Sequence, residues 1–138
     1  MQFHNIPAEL QTLKQWVISR SVEDKVPRNP KTGQLASSVD PTTWGTFQEA
    51  VQSGAPQIGF VLTPWDPYTI IDLDNKPEKP CTPEQLELHK RILDAVPSYT
   101  EVSTSGTGYH IVVRGSIPAA VHRDNVEIYS HSRYMIFT

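Results

Sequence analysis

The chain has 138 residues, 38% of them hydrophobic, which is enough for one domain with a buried core and too few for a second large one. No apolar run approaches the ~20 residues of a membrane span, the N-terminus lacks the charged and apolar regions of a signal peptide, and Cys81, the single cysteine, has no partner for an internal disulfide, which fits a reducing cytoplasm. The formal net charge of −3 rules out a broadly basic surface, but a site that gathers carboxylates around cations reverses its local sign, so charge alone decides little.

The 12 prolines fall at element boundaries, predicting short elements joined by stiff turns. In chain order, residues 7–13 read as a short helix starting at Pro7, and residues 15–20 as a strand. Residues 23–43 are polar and rich in turn formers, a long loop or hairpin of the kind that often carries function. A short helix over residues 46–52 is closed by Ser53 and Gly54. Residues 58–62 and 68–73 are β-rich and almost continuously apolar, which predicts two strands covered on both faces, joined as a hairpin through residues 63–67. Residues 83–96 form the clearest helix: Thr82 caps it, Pro83 occupies its first position and Gln85 completes a capping box. Its apolar stripe is Leu88, Ile92, Ala95 and Val96, with His89 read as a surface histidine. The last third alternates strands (100–103, 109–114, 125–129 and 134–137) with turns, so the fold class is α+β with a mainly antiparallel sheet.

Asp72 and Asp74 stand at i and i+2 at the end of an apolar strand. They share one face, with Cα atoms roughly 6.6–6.8 Å apart, while Leu73 points into the core. Two carboxylates on one face repel unless a cation lies between them, and oxygen donors of this kind suit Mg²⁺ or Mn²⁺. The same D-x-D pattern also ends ordinary strands and marks many glycosyltransferases. In residues 103–110, STSGTGYH, Gly106 and Gly108 permit positive φ, so that N–H groups and the hydroxyls of Ser105 and Thr107 can face one anion, with His110 beside it. A glycine-rich hairpin with a solvated histidine is the alternative. Glu127, between Val126 and Ile128, faces away from the core if those two enter it, toward solvent or toward a site. Arg133 follows, as a phosphate donor or as an ion-pair partner of Glu127. Trp16, Trp44, Phe47 and Phe60 read as packing, and His122 and His131 as residues of polar turns.

Taken in order, D-L-D, S-G-T-G-Y-H and V-E-I-Y followed by an arginine resemble the archaeo-eukaryotic primase superfamily, and most of all the bifunctional primase-polymerase domains of phage and plasmid replication proteins. Residues 25–33 (KVPRNPKTG), 36–38, 40–47, 58–63 and 98–103 look like further segments of that family, so the resemblance covers nearly the whole chain. It implies one catalytic domain over residues 1–138, an N-terminal α/β unit packed on an RRM-like palm, with the C-terminal part of the palm missing. The implied reaction is metal-dependent, template-directed nucleotidyl transfer from dNTP or NTP on a single-stranded DNA template and primer, with a replicative helicase as a further partner, in the cytoplasm of a bacterial host. Position by position, Asp72, Asp74 and Glu127 match the ligands of two Mg²⁺ or Mn²⁺ ions. Ser105 and His110, with the turn of Gly106 and Gly108, match the nucleotide-binding motif, and Arg133 matches a basic residue after the third motif. Lys25, Arg28 and Lys31 are phosphate candidates on charge alone. The rival from another class is a non-catalytic nucleotide- or nucleic-acid-binding module with the same site.

Overall fold

A computed structural model describes residues 5–21, 23–103 and 106–137. They form two compact units, one built from Met1–Pro64 and His131–Thr138, the other from Trp65–Ser130. The architecture is α+β, and every strand pair within its two sheets is antiparallel.

The first unit holds helix α1 (Ala8–Gln11), strand β1 (Trp16–Ser19), a 3-10 turn (Pro41–Thr43), helix α2 (Phe47–Gln52), strand β2 (Gln57–Leu62) and the last strand of the chain (Arg133–Phe137), here β8. β2 is the centre of the β1-β2-β8 sheet, and all six of its residues are buried. Trp16 is the hub of the core. Phe47, Phe60 and Phe137 meet its ring edge-on at 5.0, 5.2 and 5.4 Å, and its indole N–H donates to the Leu10 carbonyl, so a large apolar surface is buried without an orphaned donor. Arg28 and Trp44 are among the anchors of the long loop. Arg28 bridges Ile18 and Leu35 through its backbone and donates from its guanidinium to the Gly33 carbonyl, and the Trp44 indole donates to Ser37.

The second unit contains β3 (Tyr68–Leu73), α3 (Pro83–Ala95), β4 (Tyr99–Val102), β5 (Tyr109–Arg114), β6 (Val121–Arg123) and β7 (Val126–Tyr129), in the sheet order β4-β5-β3-β7-β6. β3, α3, β4 and β5 make a split β-α-β-β arrangement, with β5 between β4 and β3. The capping box expected for α3 is present: Thr82 Oγ accepts from the Gln85 N–H and the Gln85 side chain accepts from the Thr82 N–H. One face of the sheet, through Ile71, Leu73, Ile111 and Val126, packs on Leu88, Ile92, Leu93 and Val96.

Three expectations are corrected. β2 and β3 do not form a hairpin, because each is the central strand of a different sheet and finds its partners elsewhere in the chain. His89 is buried, because the face α3 turns to the sheet runs through 88, 89, 92, 93 and 96; its Nδ1 lies 3.9 Å from Cys81 Sγ. His122 lies on an edge strand, β6, which returns to β7 through Asp124 and Asn125, both at positive φ (54° and 60°) as a two-residue type I′ hairpin requires.

Candidate active site

The face of the second sheet opposite α3 carries a row of ionisable side chains. Strand register sets one residue from each strand side by side: His122 on β6 opposite Glu127 on β7, Glu127 opposite Asp72 on β3, Asp72 opposite His110 on β5, and His110 opposite Glu101 on β4. The reason is the period of two. Leu73 and Val126 point into the core, so Asp72 and Glu127 beside them must point out of it. Asp74 follows the end of β3 and is fixed there by its N–H, which donates to the Asn125 carbonyl at 2.9 Å.

Asp72, Asp74 and Glu127 each offer one carboxylate oxygen, and the three oxygens lie within 4.8 Å of one another. Asp72 is the most enclosed, with a side chain 15% exposed against 30% for Asp74 and 27% for Glu127. Its Oδ1 is buried and accepts no hydrogen bond. Burial first, then the charges of Asp74 and Glu127, push its pKa from 3.8 to about 6, against the lowering influence of His110 and Lys76. Hard oxygen donors, a shared focus and a buried acceptor without a donor fit a divalent cation such as Mg²⁺ or Mn²⁺.

His110 is held between two carboxylates. Its Nε2 is 3.6 Å from Asp72 Oδ1 and its Nδ1 is 3.8 Å from Glu101 Oε1. Glu101 is itself buried, and the Tyr99 hydroxyl donates to its Oε2 at 2.9 Å, so the carboxylate beside the imidazole is fixed, while His110 Nδ1 is buried and makes no hydrogen bond. Burial and the adjacent Glu101 in turn raise the Tyr99 pKa, which keeps that hydroxyl a donor. Neither Glu101 nor His122, whose Nε2 is 3.5 Å from Glu127 Oε1, stood out in the sequence. Only the register brings them to the row.

The glycine-rich turn closes tightly on β3. Gly106 adopts φ +77°, and a Cβ at Gly108 would lie 2.3 Å from the Leu73 carbonyl oxygen, so only glycine fits there. The N–H groups of Gly106 and Gly108 both donate to Ser103, to its carbonyl and its hydroxyl, so the two glycines shape the turn with their donors already engaged. Ser105 lies outside the described residues. Arg133 opens β8, paired with Leu62, in the first unit, whereas Asp72, Asp74, Glu127 and His110 all belong to the second. Among the described residues no helix is long and apolar enough to cross a membrane.

No family model matches the chain. A DNA primase-polymerase of Nitratiruptor phage NrS-1 is 40% identical to it over 147 aligned positions, which take in 96% of this chain and 20% of that protein. The chain therefore spans one fifth of the length of the curated relative it matches.

Proposed function

From its homology to one segment of a phage DNA primase-polymerase, we propose that the chain is a primase-polymerase catalytic domain, carrying out metal-dependent, template-directed nucleotidyl transfer in the replication of phage or related mobile DNA. The observation that carries this reading is the convergence of the Asp72, Asp74 and Glu127 oxygens on one face of the sheet, with His110 next to Asp72. The substrates on this reading are dNTP or NTP and a primer on single-stranded DNA, and a helicase is a further partner of the full-length protein.

Asp72, Asp74 and Glu127 would hold one or two Mg²⁺ or Mn²⁺ ions. Bound there, a divalent cation would neutralise triphosphate charge and lower the pKa of the attacking 3′-hydroxyl. The side chains contribute position more than covalent chemistry. Asp72 and Glu127, cross-strand neighbours on a rigid sheet, fix the spacing of the donors. His110, between Asp72 and Glu101, would offer a ring N–H to a phosphate oxygen of the incoming nucleotide. Gly108 lets the turn lie against the Leu73 carbonyl at the end of β3, beside the strand that carries His110, and Ser105 keeps its nucleotide-binding role on the resemblance alone.

Primer extension with labelled dNTPs or NTPs in Mg²⁺ or Mn²⁺ tests the proposal. Extension by the wild-type chain and a loss of more than about 100-fold in Asp72→Ala are expected, since even an outer-sphere partner of a metal costs 10–100-fold. Extension by Asp72→Ala at the wild-type rate would sink the assignment. Nucleotide binding without any extension would favour the non-catalytic module.

A further inference from the structure

A cavity of about 230 Å³ opens on the far side of the carboxylates from His110 and is lined by Asp74, Lys76, Lys79, His122, Asn125 and Glu127. Three of those six residues are basic types, and two are the outer carboxylates of the candidate metal site. The lysines are placed by the fold. Lys79 N–H donates to the Lys76 carbonyl at 3.0 Å, closing a four-residue turn that sets the two side by side. Asn125, buried and at positive φ, donates from its side chain to the Lys79 carbonyl at 3.0 Å, which ties that turn to the start of β7. Lys76 Nζ reaches to 4.0 Å from Asp74 Oδ2.

Strand order sets this cavity and His110 on opposite flanks of β3. β5, with His110 and the glycine turn, flanks β3 on one side, and β7 and β6, with Glu127, His122 and Asn125, flank it on the other. In an in-line displacement the attacking and leaving oxygens lie on opposite sides of the phosphorus. If the triphosphate occupies the His110 flank, the strand carrying the attacking 3′-hydroxyl approaches from the β7–β6 flank. We propose that Lys76 and Lys79, with His122 at the rim, form a phosphate subsite that grips the backbone of the primer strand next to its 3′ end. The inference rests on the nucleotidyl-transfer reading. It adds the side from which the primer enters and the residues that hold it.

The experiment compares the wild-type chain, Lys76→Ala/Lys79→Ala and Lys76→Arg/Lys79→Arg in Mg²⁺. It measures steady-state extension and, separately, binding of a fluorescent primer–template by anisotropy across a salt series. Both lysines are exposed, so the substitutions leave the fold intact. The alanine pair is expected to raise the primer KM by about five- to tenfold and to reduce the salt slope of DNA binding by about 1 per contacting lysine. The nucleotide KM should stay unchanged, and the arginine pair should restore primer affinity. An unchanged primer KM and DNA affinity in the alanine pair overturns the subsite, and so does a rise confined to the nucleotide KM. Failure of the wild-type chain to extend a primer, with DNA binding still weakened by the alanine pair, refutes polymerisation while leaving the subsite standing.

Discussion

Burial, reinforced by the charges of Asp74 and Glu127, holds the Asp72 carboxyl protonated to a higher pH in the folded protein than in the unfolded chain. A carboxyl whose pKa rises on folding holds its proton more tightly folded than unfolded. That stabilisation is complete below the unfolded value of 3.8 and is lost as pH rises through about 6. The metal-free protein is therefore expected to lose on the order of 1–3 kcal/mol from this one group between pH 4 and 7. Thermal melts in EDTA should show the loss in wild type and a flatter profile in Asp72→Asn, and Mg²⁺ should restore stability increasingly across the same window. Identical pH profiles for the two proteins would remove Asp72 from this role. At this scale the sequence was partly legible. Asp72 and Asp74 announce themselves by strand spacing alone. Glu127 needs its pairing with β3, which no local pattern encodes. Glu101 sits in an ordinary-looking strand, and its role appears only when β5 brings His110 to it.

Among the elements, those written in long apolar runs or in capping chemistry were readable: β2, β3, β5 and α3 lie within a residue of where the pattern puts them. Pairing was not. Proximity in sequence argued for a β2–β3 hairpin, yet both lateral edges of each strand are taken by others, β1 and β8 for β2, β5 and β7 for β3. β6 is exposed at all three of its residues and left no apolar trace, although the Asp124-Asn125 pair that turns it, two residue types that tolerate positive φ, was a usable signal. The contact between the glycine turn and β3 makes an element-scale prediction. Gly108→Ala forces its Cβ against the Leu73 carbonyl, which is backbone and cannot swing away. A destabilisation of about 1–3 kcal/mol is expected in urea denaturation and, on the proposed reading, reduced extension, because the shift falls next to Asp72 and Asp74. Wild-type stability in this variant would mean that the turn is not held where the structure puts it.

At the scale of the whole molecule, the second unit is one uninterrupted segment, Trp65–Ser130, whereas the first is made of residues from both sides of it. The first unit thus depends on chain that is synthesised after the second. β8 supplies Phe137, one of the three rings against Trp16, and pairs with β2 along five residues from Ile58 to Leu62. Deleting residues 131–138 is expected to strip that edge and expose the Trp16 core. Tryptophan emission should shift to the red and the first unit should lose cooperative unfolding; a truncated chain with native emission and an unchanged transition would contradict this. Composition and charge pointed to none of this, because the order of chain segments within a sheet is a long-range property.

Asp72 and Glu127 come from the first and the last strand of the inserted segment. They are neighbours only after the intervening loop has closed, and closing it costs chain entropy that grows with its length. A cation gripped by both carboxylates on the proposed reading is consequently a removable cross-link. It disfavours the open chain as a disulfide does, and it comes undone with a chelator rather than a reductant. The reaction and the knotting together of the domain would then draw on the same ion, and a protein starved of it would lose its clasp along with its chemistry.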